Sequence, residues 1–188
     1  MPGKNLMRLL QTAQDQYGYV TAAEAKELGV PPTRLSDMVR RGLLLRMDHG
    51  LYRVPLVPVT SLDAYMEAVL WPEAPGVISH LSALDLLDLC DVNPSRIDVT
   101  VPKAHRIRRP VPRLYSIHRR ELAPGDIQKH EGIPVVTPER AILDAMEVAL
   151  GSELIDQAIE TGRGRGLLTP QQLATLADAR RRRDRVPS

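Results

Sequence analysis

Residues 21–55, TAAEAKELGVPPTRLSDMVRRGLLLRMDHGLYRVP, decide the fold. Thr21 followed by Glu24 is a capping box: the hydroxyl accepts the N–H three residues on, and the carboxylate accepts the N–H of the cap. It opens a short helix running to about Leu28. GVPP (29–32) ends that helix, and a second is predicted from near Thr33 to Arg41, with Gly42 as its stop. At ~100° per residue, Leu35, Met38 and Val39 share one face of this second helix. Thr33, Asp37 and Arg40 point the opposite way, flanked by Arg34 and Arg41. Two helices joined by a tight glycine-containing turn form a helix-turn-helix. LLLRMDHGLYRVP (43–55) then reads as two short strands around DHG, a three-residue turn with Gly50 in the left-handed conformation. A hairpin in that place makes the unit a winged helix-turn-helix. On the ribbon, one face with the leucines, Met47 and Tyr52 is expected to anchor, leaving Arg46, His49 and Arg53 for phosphates.

Working outward, Leu6, Leu9, Leu10 and Ala13 recur at helical spacing, so a helix over residues 4–16 precedes the motif, broken by YGYV (17–20). After the ribbon, VPLVPV (54–59) is a proline-rich connector. The domains are expected at 1–57, the winged helix-turn-helix, and 58–188. In the second part helices are expected at 61–71, 79–89, 137–150, 152–161 and 169–181, with strands at 96–101, 113–118 and 133–136. Leu62, Tyr65, Met66 and Val69 should face inward on the first of these helices. Ser79 should cap the next, with Ser82 and Asp85 outward. Thr137, Pro138 and Glu139 signal the start at 137. The order describes an α+β protein, a winged helix-turn-helix followed by a mixed α/β domain whose small sheet is flanked by helices. The arginine-rich end from about residue 182 is expected to be a solvated tail.

With 43% apolar residues the 188-residue chain can bury a core, and with no Phe, one Trp and five Tyr that core must be aliphatic. The single cysteine, Cys90, excludes an internal disulfide, lies in an apolar run where a buried inert thiol is expected rather than a nucleophile, and fits a reducing cytosol. No export signal or membrane span is indicated, so a cytoplasmic location is expected. Charge is segregated: residues 102–120 carry +7, between stretches of −6 (57–101) and −7 (121–161). Such a block suits a polyanion; compensation by the adjoining acidic stretches is the other reading.

The chemistry of an enzyme is missing. The five histidines are scattered without CxxC or HExxH companions, so no metal is expected, and no cofactor motif occurs. GRGRG (162–166) lacks the Lys-Ser/Thr of a phosphate loop and reads as a helix connector. Ser79, His80 and Ser82 are explained by packing and capping. The outward face of the second motif helix instead offers what the major groove takes, arginines able to bond guanine bidentately, while Asp37 can accept from cytosine or restrain its arginine neighbours.

YGYVTAAEAKELGVPPTRLSDMVRRGLLLRMDHGLYRVP resembles the N-terminal winged helix of AbiEi-type antitoxins. VISHLSALDLLDL, RIDVTVPKAHR, LYSIHRREL and GIPVVTPERAILDAM, in that order, resemble their second domain, so the likeness spans residues 5 to 160. The resemblance implies a transcriptional autorepressor, the antitoxin half of a type IV toxin–antitoxin pair. It would bind inverted repeats in its own promoter, as monomer or dimer, and counteract a nucleotidyltransferase-like toxin, usually without a stable complex. Carried over, Thr33, Arg34, Arg40 and Arg41 face the groove and Arg46, His49 and Arg53 form the wing. Lys103, Arg106, Arg108, Arg109, Arg113, Arg119 and Arg120 make the antitoxicity surface. Residues 162–188 are too few for the nuclease-like domain that follows a similar N-terminal region in some bacterial proteins. Two other classes remain: a regulator or adaptor without a toxin, and an enzyme acting on RNA or nucleotides through the 102–120 loop.

Overall fold

A computed structural model describes residues 3–184, and the chain divides into two compact units that meet between Gly76 and Val77. The stretch 58–76 thus packs with the first unit, whereas the sequence places it in the second domain. Each unit has its own core.

The first unit opens with α1 (Lys4–Gln14), which buries Leu6, Leu9 and Ala13. A short strand follows, β1 (Tyr19–Thr21), then α2 (Ala22–Glu27) and α3 (Pro32–Arg40). The capping box at α2 is formed in both directions: Glu24 N–H donates to Thr21 Oγ1 at 3.2 Å, and Thr21 N–H to the Glu24 carboxylate at 2.7 Å. The hairpin is β2 (Leu45–Asp48) and β3 (Leu51–Arg53), turning through Gly50 at φ +69°. The three strands form an antiparallel sheet in the order β1-β3-β2. YGYV therefore does more than break α1, because its last residues start the strand that pairs with the wing. Helix α4 (Asp63–Leu70) completes the unit, with Met66, Ala68 and Val69 buried.

The second unit is a five-stranded mixed sheet, order β6-β5-β4-β8-β7, with helices. Its elements are β4 (Val77–Ile78), α5 (His80–Leu86), β5 (Ile97–Val101), β6 (Tyr115–Arg119), β7 (Ile127–His130), β8 (Ile133–Val136), α6 (Pro138–Glu147), α7 (Ser152–Gly164) and α8 (Pro170–Asp184). β5 and β6 run parallel, so the chain must cross back between them. It does so through residues 102–114, an irregular loop near the minimum length for a parallel crossover. Thr137 caps α6 by accepting from Arg140 N–H at 3.4 Å.

Three expectations change here. Ser82 points inward and is fully buried, its hydroxyl accepting from Asp98 N–H at 2.8 Å and donating to the Arg96 carbonyl. GRGRG is largely helical: α7 runs through Gly164, and Arg165 reaches back to the Leu87 and Asp88 carbonyls. The expected tail starts inside α8, which continues to Asp184: Arg182 stays exposed, but Arg183 donates to the Leu150 carbonyl at 2.6 Å, and just before it Arg180 grips Asp156. The rest of that tail lies outside the described residues.

Candidate nucleic-acid interface

The face of α3 is set by its buried side. Leu35 and Met38 are inserted into the core of the first unit, so the helix can rotate neither way. Thr33, Arg34, Arg40 and Arg41 are exposed on the other side, the three arginine side chains at 57%, 78% and 64%. Asp37 lies among them, hydrogen-bonded to Arg40 and 3.8 Å from both Arg34 and Arg41. Exposed pairs at this spacing contribute only ~0.3–0.5 kcal/mol each. Asp37 therefore pre-orients the guanidinium groups at little cost to their release onto DNA. Beside this face a groove of about 580 Å³ runs between α3 and the start of α1. Lys4 lines it together with Arg34 and Arg41, a cation that the helical pattern gave no reason to select.

The wing divides its residues differently from the sequence reading. Leu45 and Met47 are exposed (48% and 40%), and the anchoring is done by Leu44, Leu51 and Val54. β2 is the outer strand of the sheet, and a register shift between Arg46 and Asp48 leaves Met47 bulged. Arg46 and His49 are exposed, as a phosphate contact requires. Arg53 is not: only 6% exposed, it forms an ion pair with Asp63 at 3.0 Å and donates to the carbonyls of Val57 and Pro58. It leaves the set of phosphate ligands. The reason is parity: Arg53 shares its face of β3 with Leu51, and burying Leu51 buries Arg53 as well. Asp63, the first residue of α4, is the signal that could have shown it, a carboxylate ten residues on at a helix start.

In the second unit the 102–120 block separates into two populations. Lys103, Arg106, Arg108, Arg113 and Arg119 are exposed, and Arg109 is half-buried. Arg120 turns inward, bonding Asp144 at 2.6 Å and also Glu147, so it leaves the proposed surface. Asp144 is almost fully buried and also accepts from Arg140. Burial alone would raise the Glu147 carboxyl, but Arg120 and Arg140 hold it below its ordinary range.

Behind this pair lies a polar layer that sequence reasoning did not assemble. Ser79, His80, Ser82, Thr100 and Asp144 are all buried. His80 Nδ1 is 2.9 Å from Ser79 Oγ, and the ring stacks on His118 with centroids 3.6 Å apart. His118 Nε2 is in turn 2.8 Å from Asp98. Burial first, and His118 second, depress His80 below its ordinary value of 6.5 against the opposing pull of Asp144 and Asp98. Its members come from four separate segments, which is why no motif marks it. Ser79 is sealed from solvent, so no substrate reaches its hydroxyl. Among the described residues no cluster of three or more His, Cys, Asp or Glu side chains is placed to hold a metal ion, and no helix is long and apolar enough to cross a membrane.

A winged helix with an exposed, arginine-bearing helix face, joined to an α/β unit, defines a class of transcriptional regulator. Residues 7–55 match the family described as transcriptional regulator, AbiEi antitoxin, and residues 77–186 match the AbiEi antitoxin C-terminal domain. The chain belongs to the AbiEi antitoxin family. No curated protein matches it. Among solved structures it is similar to the RV2827C protein from Mycobacterium tuberculosis, at 18% identity and a TM-score of 0.54, covering 94% of this chain and 72% of that one. At that identity the likeness speaks for the fold.

Proposed function

We propose that this chain is a DNA-binding autorepressor and the antitoxin of a type IV toxin–antitoxin pair, binding inverted repeats in its own promoter. The observation that carries the DNA half is the α3 surface, where Thr33, Arg34, Arg40 and Arg41 are exposed around Asp37. Arg40, the most exposed of the three arginines, is the natural base reader. Arg46 and His49 supply sequence-independent contacts from the wing. The second unit counteracts a nucleotidyltransferase-like toxin, with Lys103, Arg106, Arg108, Arg109, Arg113 and Arg119 as its working surface.

Binding to the promoter duplex should weaken with salt. Neutralising about six phosphates corresponds to a slope of about −5 in log K against log salt. Arg40→Ala should narrow the gap between promoter and unrelated DNA, whereas Arg46→Ala should weaken both alike. A promoter complex indifferent to salt would sink the reading. For the second unit, alanine substitutions at Arg106, Arg108 and Arg113 should lower rescue of cells expressing the neighbouring toxin gene. Full rescue by that variant would remove the loop from the antitoxin role.

A further inference from the structure

The segment between the two family-matched regions, residues 56–76, makes polar contacts to the first unit from outside the winged-helix match. Three run to the wing sheet. At its base Asp63 takes the buried Arg53 guanidinium, with Arg53 Nη2 also capping the Val57 and Pro58 carbonyls. Beside that pair Glu67 accepts from Tyr19 Oη at 2.8 Å, Tyr19 lying opposite Arg53 on β1; burial, together with this bond, pushes the phenol above its ordinary range. At its tip the Trp71 indole N–H donates to Asp48 Oδ2, while Asp48 Oδ1 accepts His49 N–H at 2.6 Å. A Cβ on Gly50 would stand 3.1 Å from Glu73 Oε1, so the turn is seated directly against this segment. Trp71 itself is 1% exposed and cannot swing away.

A two-stranded ribbon is marginal in isolation. Its outer strand β2 has one neighbour, and Leu45, Arg46 and Met47 are all exposed. Within the ribbon, Asp48 gathers both cations: its carbonyl accepts from Arg46 Nε at 3.5 Å and its carboxylate from His49 N–H. The Trp71–Asp48 contact ties that shared residue, the last of β2, to the buried segment. We propose that Trp71, through Asp48, is a positioning residue for DNA binding: it fixes the wing tip so that Arg46 and His49 meet phosphates while α3 occupies the groove. This rests on the DNA reading above.

The full-length chain tests it with Trp71→Phe, Asp48→Ala and the double variant, measured on a promoter duplex and on an unrelated duplex. Removing the Asp48 charge from a DNA-facing ribbon should, by electrostatics alone, tighten binding. Loss of positioning predicts the opposite. Each single variant should bind both duplexes about tenfold more weakly at ~0.1 M salt, with a salt slope smaller in magnitude by about 1. The preference for the promoter should persist, since α3 is untouched. The double variant should lose no more than Asp48→Ala alone, because that substitution already removes the Trp71 link. Amide exchange at Met47, Asp48 and His49 should quicken in Trp71→Phe while α3 keeps its protection. Unchanged or tighter binding by Asp48→Ala, or additive losses in the double variant, overturns the inference and leaves the DNA reading standing. Salt-indifferent binding by the unaltered protein overturns both. Should Trp71→Phe not fold, Asp48→Ala decides alone, because that side chain is only half-buried.

Discussion

Arg53 and Asp63 face each other with 7% and 9% of their side chains exposed. Removing one partner leaves the other as an uncompensated buried charge, so Arg53→Ala should destabilise the first unit by about 3–5 kcal/mol. Trp71, the one tryptophan, lies in that unit, so its fluorescence reads the shift in denaturant midpoint without interference from the second. Arg46→Ala, at an exposed position, should stay within about 0.5 kcal/mol while weakening DNA binding. Similar midpoints for the two variants would show that the buried pair does not hold the wing. The two arginines illustrate how much side-chain direction matters: seven residues apart on one ribbon, one supports the sheet and the other serves its surface. Thr21→Ala removes one half of the capping box at α2 and should cost about 1 kcal/mol by the same fluorescence measurement.

At the scale of elements, α7 shows why GRGRG is a helix end with one constrained glycine. A Cβ on Gly162 would lie 2.7 Å from Leu168 Cδ1 and 3.0 Å from its Cγ, and Leu168 is buried. Alanine gains about 0.5–1 kcal/mol over glycine in a helix, but overpacking costs about 1–3 kcal/mol. Gly162→Ala should therefore be destabilising. Gly164→Ala, with nothing within 4 Å of the added carbon, should be neutral or stabilising. Thermal unfolding followed by far-UV circular dichroism reads both. Equal effects would mean that Leu168 moves aside freely. The helix starts were the most legible elements, since capping is local: Thr21 and Thr137 both accept the N–H that their spacing anticipates. The strands were less so. β1 and β4 have three and two residues, too few for an alternation to register, and exist because a neighbouring strand completes their hydrogen bonds. β7 alternates exposed Ile127 and Lys129 with half-buried Gln128 and His130, the opposite of an apolar-inward edge.

For the molecule as a whole, the buried His80 makes stability depend on pH with a definite sign. Its folded value lies below the ordinary 6.5, so above that pH both folded and unfolded chains hold it neutral and its contribution is intact. As pH falls below about 6.5 the unfolded chain takes up a proton that the fold resists, and stability declines toward the folded value. The groups that set this balance are His118, Asp98, Asp144 and Arg120, with Ser79 at the ring nitrogen. Denaturant unfolding followed by far-UV circular dichroism should show the second unit losing stability between pH 7.5 and 5.5, with a smaller loss in His80→Gln. An identical pH profile in that variant would assign the loss to other groups. Trp71 fluorescence should report little of this change, since the layer lies wholly in the other unit.

The sequence by itself determined the order of the three helices and the hairpin in the winged helix, though not β1, together with the face that α3 turns outward, the turn at Gly50 and the α+β class. Each depends on local steric and hydrogen-bonding rules that act within a few residues. Only the tertiary structure decided which charges are free. Arg53 and Arg120 read as surface cations, but carboxylates 10 and 24 residues away draw them inward. The same holds for Ser82, for the stacked histidines and for α4, assigned by the sequence to the second domain yet packed with the wing. Burial of an ionisable group depends on whether a distant chain segment supplies its counter-charge. Periodicity carries no information about that segment, and the fold brings it there.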